Sequence, residues 1–150
     1  MLFRSRKIGF SKDDVEAFEN YLYCLSDFNM DEKLKYLMAL NATAISRFHK
    51  ESPLSDRYFK CPDIKARPSQ GEVVTLVTTH QVNGHNQEAT FLIIDANEKD
   101  CYAMLISNEQ VRLDNVGGYL NVGSIIRVSN SRTIPMRCLN KELIQTLNIA

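Results

Sequence analysis

The apolar residues change their spacing once along the chain. In the first part they recur every three or four positions, as on one face of a helix: Val15, Phe18, Leu22 and Leu25, then Leu34, Leu37, Met38 and Ala42. This periodicity predicts a first helix beginning at Lys12 and a second one that follows Asp31 and ends before Ser52-Pro53. We expect residues 1–52 to form an N-terminal helical extension in which the two helices pack as a hairpin.

From residue 71 the spacing becomes that of strands. Segments 72–80, 89–95 and 101–107 are rich in β-branched and apolar residues. Asn83-Gly84 supplies the left-handed residues of a tight turn between the first two, and a polar loop at 96–100 joins the next two. A fourth strand is predicted within 124–133. Residues 134–138 are the only space for a fifth, where Pro135 allows an edge position at best.

The remaining segments complete the predicted organisation. Residues 53–70 follow neither period, contain three prolines among basic residues, and are interpreted as an ordered linker. Residues 139–150 have helical spacing and predict a C-terminal helix. A three-stranded meander, a connecting element and a further strand after a glycine turn are typical of a five-stranded OB-type Greek-key barrel. The predicted fold is therefore mainly β, with the barrel at 71–138 and helical extensions on both sides.

Composition indicates in which cellular compartment the protein is expected and whether its net charge favours nucleic acid or membranes. The 150 residues contain 18 lysines and arginines against 18 aspartates and glutamates, so no global field draws the chain to nucleic acid or to an anionic membrane. Its four cysteines form no CxxC pair, which is typical of a reduced intracellular compartment. No window approaches the roughly 18 apolar residues of a membrane span. We expect a soluble protein, nuclear or cytosolic rather than secreted.

Two runs in the β-rich part carry a family resemblance. Residues 90–107 read TFLIIDANEKDCYAMLIS, and residues 122–134 read VGSIIRVSNSRTI. They are similar to OB-folds of the replication protein A and telomere-end-binding families, in which an Ile-Asp pair ends one strand and a Gly-x-Ile/Val-[IV]-Arg-[VF] strand follows a hairpin and a second apolar strand. Ile94-Asp95 and residues 123–128 match those motifs. The resemblance implies a nuclear subunit of a single-stranded nucleic-acid-binding complex in telomere capping or in replication and repair.

The residues that would contact nucleic acid follow from charge and aromaticity. Residues 71–135 hold four basic and seven acidic side chains, so a modest contribution is expected from the barrel, and the basic linker is the better electrostatic candidate. The prediction covers Arg57, Lys60, Lys65, Arg67, Tyr102, Arg112, Tyr119, Arg127 and Arg132. Two alternatives stay open: the linker is a solvated strap across the barrel, and Tyr102 is a core residue. Whether the protein would prefer DNA or RNA also stays open.

Apolar helix residues favour protein contacts as well. The stripe on each terminal helix must pack on something, either the barrel or a partner. The predicted partner-binding residues are Phe18, Tyr21, Leu22, Leu25, Leu143, Ile144 and Leu147. The expected partners are protein subunits of a multi-protein complex, with single-stranded DNA as a secondary one and no membrane or small-molecule substrate. The alternative hypothesis is a pure protein-interaction OB module that binds no nucleic acid.

Catalytic patterns are absent from the sequence. His80 and His85 flank the Asn83-Gly84 turn without a cysteine at zinc-ligand spacing. Gly117-Gly118 lacks the further glycines and the lysine of a phosphate-binding loop. We expect no enzyme activity, no cofactor and no metal.

Overall fold

The computed structural model describes residues 12–26, 30–48, 53–62, 64–65, 67–107 and 109–149, without the side chains of residues 45–48, 148 and 149. The chain divides into two compact units, Met1–His49 and Lys50–Ala150, which we call the helical unit and the sheet unit. The predicted linker, barrel region and terminal helix all fall within the sheet unit. The predicted division into four segments stays a prediction.

The helical unit contains both predicted helices. Helix α1 spans Lys12–Leu25 and helix α2 spans Glu32–Phe48, so both predicted helices are confirmed. The two helices contact each other, because the rings of Phe18 and Tyr36 lie 6.0 Å apart and Lys35 Nζ donates to the Ser26 carbonyl at 3.1 Å. Tyr21, Leu25, Met38, Ala39 and Ala42 are buried.

The sheet unit is built on one five-stranded antiparallel sheet. Its strands are β1 Val73–Val82, β2 His85–Ala96, β3 Asp100–Leu105, β6 Ile125–Ser129 and β7 Ile134–Pro135. Their order across the sheet is β6-β3-β2-β1-β7, and β4 Val111–Arg112 pairs with β5 Tyr119–Leu120 in a separate small hairpin. The predicted turn between β1 and β2 is confirmed, since Asn83 and Gly84 have φ angles of 54° and 80°. Helix α3, Lys141–Ile149, confirms the predicted terminal helix.

The predicted OB barrel is wrong in one respect, because the sheet does not close. Its edge strands β6 and β7 do not pair with each other. Along the chain they are joined by a short segment that contains a 3-10 turn at Asn130–Arg132. The fifth strand exists, but it contributes only Ile134 and Pro135 beside β1, and proline has no N–H to donate. The protein is therefore a mixed α/β structure with an open sheet and helices at both ends.

The open sheet is nevertheless curled. Five strands laid flat would place the outer two about 19 Å apart, at about 4.8 Å for each neighbouring pair. The chain between Ser129 and Ile134 spans at most about 18 Å when fully extended, and its 3-10 turn shortens that reach. The connection between the edge strands therefore requires the sheet to bend towards a barrel.

Residues 53–60, which we call the strap, lie across the gap in the sheet. At one end Leu54 forms a bridge with Arg127 of β6, and the Ser55 N–H donates to the Arg127 carbonyl at 2.8 Å. At the other end Phe59 forms a bridge with Thr78 of β1, and the Lys60 N–H donates to the Val77 carbonyl at 2.8 Å. The strap thus supplies backbone partners to β6 and to the part of β1 that the short strand β7 leaves unpaired.

The core of the sheet unit includes the strap. Phe59 is 1% exposed and packs edge-on against Phe91, with ring centroids 6.1 Å apart. A second cluster gathers Val77, Ile134 and Leu147, which packs α3 against the sheet. Across the described residues, no helix combines the length and the apolar character that a membrane span requires.

Candidate protein-interaction surface

The residues predicted to bind nucleic acid do not form one basic surface. Arg127 is paired with Asp100, at 2.9 Å between Nη2 and Oδ2, and Arg132 Nε lies 3.9 Å from Asp56 Oδ2. Tyr102 is only 8% exposed, so its ring cannot serve as a stacking platform, and the core interpretation of this residue is confirmed.

The linker residues have structural partners too. Lys60 Nζ donates to the Leu147 carbonyl in the last turn of α3, where a cation stabilises the helix end. The Arg57 guanidinium lies 4.7 Å from the centre of the Tyr58 ring. Asp56 accepts hydrogen bonds from the Ser129 backbone N–H, at 2.7 Å, and from the Ser129 hydroxyl. Four further predicted residues are exposed: Lys65, Arg67, Arg112 and Tyr119.

The predicted partner-binding residues are mostly turned inward. Tyr21 and Leu25 are buried, while Phe18 and Leu22 are half-buried. In α3, Leu147 is buried, and Leu143 and Ile144 pack beside it on the second core cluster. Partner binding by these seven residues stays a prediction.

Among the described residues of the helical unit, the largest exposed apolar group lies on α2. Tyr36, Leu37 and Leu40 are 54%, 56% and 40% exposed. Leu40 lies one helical turn from both Tyr36 and Leu37, at i+4 and i+3, so the three side chains form a strip that we call the α2 face. Val15 and Tyr23 of α1 are exposed as well.

Sequence reasoning missed most of this face. Leu37 was predicted to lie on the apolar stripe that packs inward, and no role was predicted for Tyr36 or Leu40. The available signal was the width of the apolar pattern, because residues 36–40 read YLMAL and therefore place apolar side chains around most of the helix. A helix with so wide an apolar surface can bury only part of it against one neighbouring helix.

A shallow cleft adjoins the α2 face within the helical unit. Its volume is about 200 Å³, and it is lined by Leu22, Ser26, Glu32, Lys35 and Tyr36. The Lys35 ammonium lies 3.6 Å from a Glu32 carboxylate oxygen and is itself buried. An apolar strip with a polar rim is the usual composition of a protein-binding surface.

The buried Cys101 is unsuited to act as a nucleophile. Burial raises the pKa of the Cys101 thiol to about 12, with the Asp100 and Asp56 carboxylates acting in the same direction, so this cysteine remains a neutral core residue. No group of three or more histidine, cysteine, aspartate or glutamate side chains suited to a metal ion occurs in the part of the chain that the structure describes.

The chain is similar to three bacterial proteins of one name. It is 28% identical over 128 residues to the cell division protein ZapC of Photobacterium profundum, covering 85% of this chain and 68% of that protein. The ZapC proteins of Aliivibrio salmonicida and Vibrio vulnificus are each 28% identical, over 131 and 123 residues. Those matches cover 87% and 82% of this chain, and 69% and 64% of the relatives. No protein-family model matches the chain.

These relatives correct the functional expectations. The resemblance to replication protein A and telomere-end-binding families is wrong, and so is the prediction of a genome-maintenance subunit that binds single-stranded DNA, because the similar proteins are bacterial cell division proteins. A nuclear location is wrong for the same reason, since bacteria have no nucleus. The alternative of a pure OB interaction module also lacks support. The motif pattern misled because short apolar strands with a glycine turn recur in many unrelated sheets.

Proposed function

We propose that this chain is a bacterial cell division protein that acts by binding other proteins of the division machinery. The observation that carries the proposal is the similarity to three ZapC proteins over 82% to 87% of this chain. A cell division protein works within an assembly, so protein partners follow from that role. The absence of enzyme activity remains a prediction.

The α2 face is the proposed contact surface for such a partner. Its three side chains are large, apolar and 40–56% exposed, although the Tyr36 ring also lies 6.0 Å from that of Phe18 in α1. Covering their exposed parts would contribute about 2–4 kcal/mol to binding, since full burial of such a side chain is worth about 1.5–3 kcal/mol. Tyr36 adds a hydroxyl that can bond to the partner at the rim of the contact.

The test is the position of the protein in a dividing cell. The chain, fused to a fluorescent protein, would be expressed in Vibrio vulnificus, which has a similar protein. We expect the fusion to concentrate at the division site. A variant carrying Tyr36→Ser, Leu37→Ser and Leu40→Ser should lose most of that accumulation, because the apolar contact is removed.

The matched control changes three exposed polar residues of the same two helices: Glu16→Ser, Glu19→Ser and Asn41→Ser. This variant should accumulate as the unmodified chain does. A fusion that spreads evenly through dividing cells would contradict the proposed function. Equal accumulation of both variants would instead contradict the α2 face as the contact surface.

A further inference from the structure

The tip of the β1–β2 hairpin carries a residue pair that can react with itself. Asn83 is the only asparagine of the sequence that is followed by glycine. Because glycine has no Cβ, the side-chain amide of the preceding residue reaches the glycine nitrogen more easily than it would past a side chain. The surroundings are open as well, since a Cβ added to Gly84 would meet no heavy atom within 4 Å beyond its chain neighbours.

Both reacting groups are free of hydrogen bonds. Asn83 and Gly84 are exposed, and among the described residues neither the Asn83 side chain nor the Gly84 N–H has a hydrogen-bond partner. The nearby Asn86 differs, because its side chain is buried and its Nδ2 donates to the Thr78 carbonyl at 2.7 Å. The fold therefore restrains the amide of Asn86 but not that of Asn83.

The hairpin tip is joined to the rest of the sheet by a short ladder. The register of β1 and β2 shifts just before Gln81. Beyond this irregularity two residue pairs join the strands: Gln81 with Asn86, and Val82 with His85. Closing a five-membered ring between an asparagine and the next nitrogen requires the backbone to leave the left-handed turn, in which Asn83 has a φ of 54°. An exposed tip with so few pairs opens locally while the core stays folded.

We propose that Asn83 is a site of spontaneous deamidation. The Gly84 backbone nitrogen attacks Asn83 Cγ and forms a new N–C bond, while its proton passes to the side-chain amino group, which leaves as ammonia. Water then adds to either carbonyl of the succinimide ring and opens it to aspartate or isoaspartate. Each product adds a negative charge, and isoaspartate also adds a methylene to the backbone of the turn. The site does not depend on the α2 face or on the proposed role in division.

The test incubates the full folded chain in mildly basic buffer and follows each asparagine by peptide mapping with mass spectrometry. We expect the Asn83 amide to be lost steadily, and a methyltransferase specific for isoaspartate to label the product. Asn115 is the internal control, because it is exposed in a loop but precedes Val116, whose N–H donates to Asp114 Oδ1 at 2.9 Å. Its amide should stay intact over the same period.

A variant and an unfolded sample complete the test. Gly84→Asn keeps a residue that tolerates the left-handed backbone but places a side chain beside the attacking nitrogen, so it should slow the loss at Asn83. The unmodified chain in urea gives the rate without the fold. If the folded chain keeps its Asn83 amide while the urea sample loses it, the turn protects the residue and the proposal is overturned. Equal loss at Asn83 and Asn115, or equal loss with and without Gly84, would overturn it as well.

Discussion

The two units of this protein differ in how their exposed apolar residues are arranged. In the sheet unit they are spread over three segments, at Leu54, at Val116 and Tyr119, and at Met136, whereas in the helical unit three lie together on α2. The sheet unit buries even a linker residue, Phe59, in its core, and its strap bridges β6 and β1. The helical unit leaves Tyr36, Leu37 and Leu40 in contact with solvent. A curled sheet crossed by a strap encloses a volume, whereas two helices share only one strip of contact. The part of the chain that most resembled a binding fold is thus the better closed of the two.

The strap anchor offers the strongest test of this contrast. Phe59→Ala should lower the free energy of unfolding by about 3–5 kcal/mol, because it leaves a cavity beside Phe91 in the core. Urea unfolding followed by circular dichroism measures the change. Leu54→Ala in the same strap is the control, and it should cost less than about 1 kcal/mol since Leu54 is exposed. A small loss in the Phe59 variant would mean that the strap is not part of the core.

A smaller loss is expected at the polar end of the strap. Asp56→Ala removes the acceptor for the Ser129 backbone N–H and hydroxyl, which should cost about 1–3 kcal/mol. Asp56→Asn keeps one acceptor oxygen and should cost less. Glu109→Ala, at an exposed carboxylate, should leave the urea midpoint unchanged. Equal midpoints for all three variants would show that this end of the strap does not stabilise the sheet.

The loop between β4 and β5 offers a test that depends on pH. Hydrogen bonds from the backbone N–H groups of Gly118 and Val116 hold the pKa of Asp114 below its usual 3.8, and the charges of His80 and Arg57 add to the shift. A lowered pKa stabilises the folded state above pH 3.8, and this contribution disappears as pH falls through the folded pKa. Asp114→Asn should therefore unfold at lower urea than the unmodified chain at about pH 7, and at nearly the same urea at about pH 2.

Gly118→Ala probes the same contact from the other side. A Cβ at this position would lie 2.6 Å from Asp114 Oδ2, so the carboxylate must move away from the backbone N–H groups. The pKa of Asp114, measured by carbon NMR of the carboxyl group, should rise towards 3.8. Asn115→Ala, at an exposed neighbour, should leave it low. An unchanged pKa in the Gly118 variant would show that the loop does not hold the carboxylate.

The smallest effect on stability is expected on the α2 face. The combined change of Tyr36, Leu37 and Leu40 to serine should lower the free energy of unfolding by less than about 2 kcal/mol, because exposed substitutions usually stay within about 0.5 kcal/mol each and the loss of the Tyr36–Phe18 contact adds to them. Urea unfolding at about pH 7 measures it, with the Glu16, Glu19 and Asn41 variant as reference. If the triple variant lost as much free energy of unfolding as Phe59→Ala, the α2 face would be part of the core, and the difference between the two units would not hold.

Local chemistry in the sequence specified the elements of this protein. Helical spacing placed α1, α2 and α3, and the Asn83-Gly84 pair fixed the β1–β2 turn, because each depends on residues close together in the chain. Pro135 correctly limited the fifth strand to an edge. The same local patterns could not establish the family, since short strands with glycine turns belong to many folds.

Long-range packing set how these elements enclose a core and which side chains stay outside. Residues that are distant in sequence meet in the fold: Phe59 packs against Phe91, and Arg127 pairs with Asp100. The burial of Tyr102 also depends on the tertiary structure. The exposure of the α2 face likewise depends on what the fold places beside it. Periodicity describes the faces of one element, whereas burial is a property of the neighbours that the tertiary structure supplies.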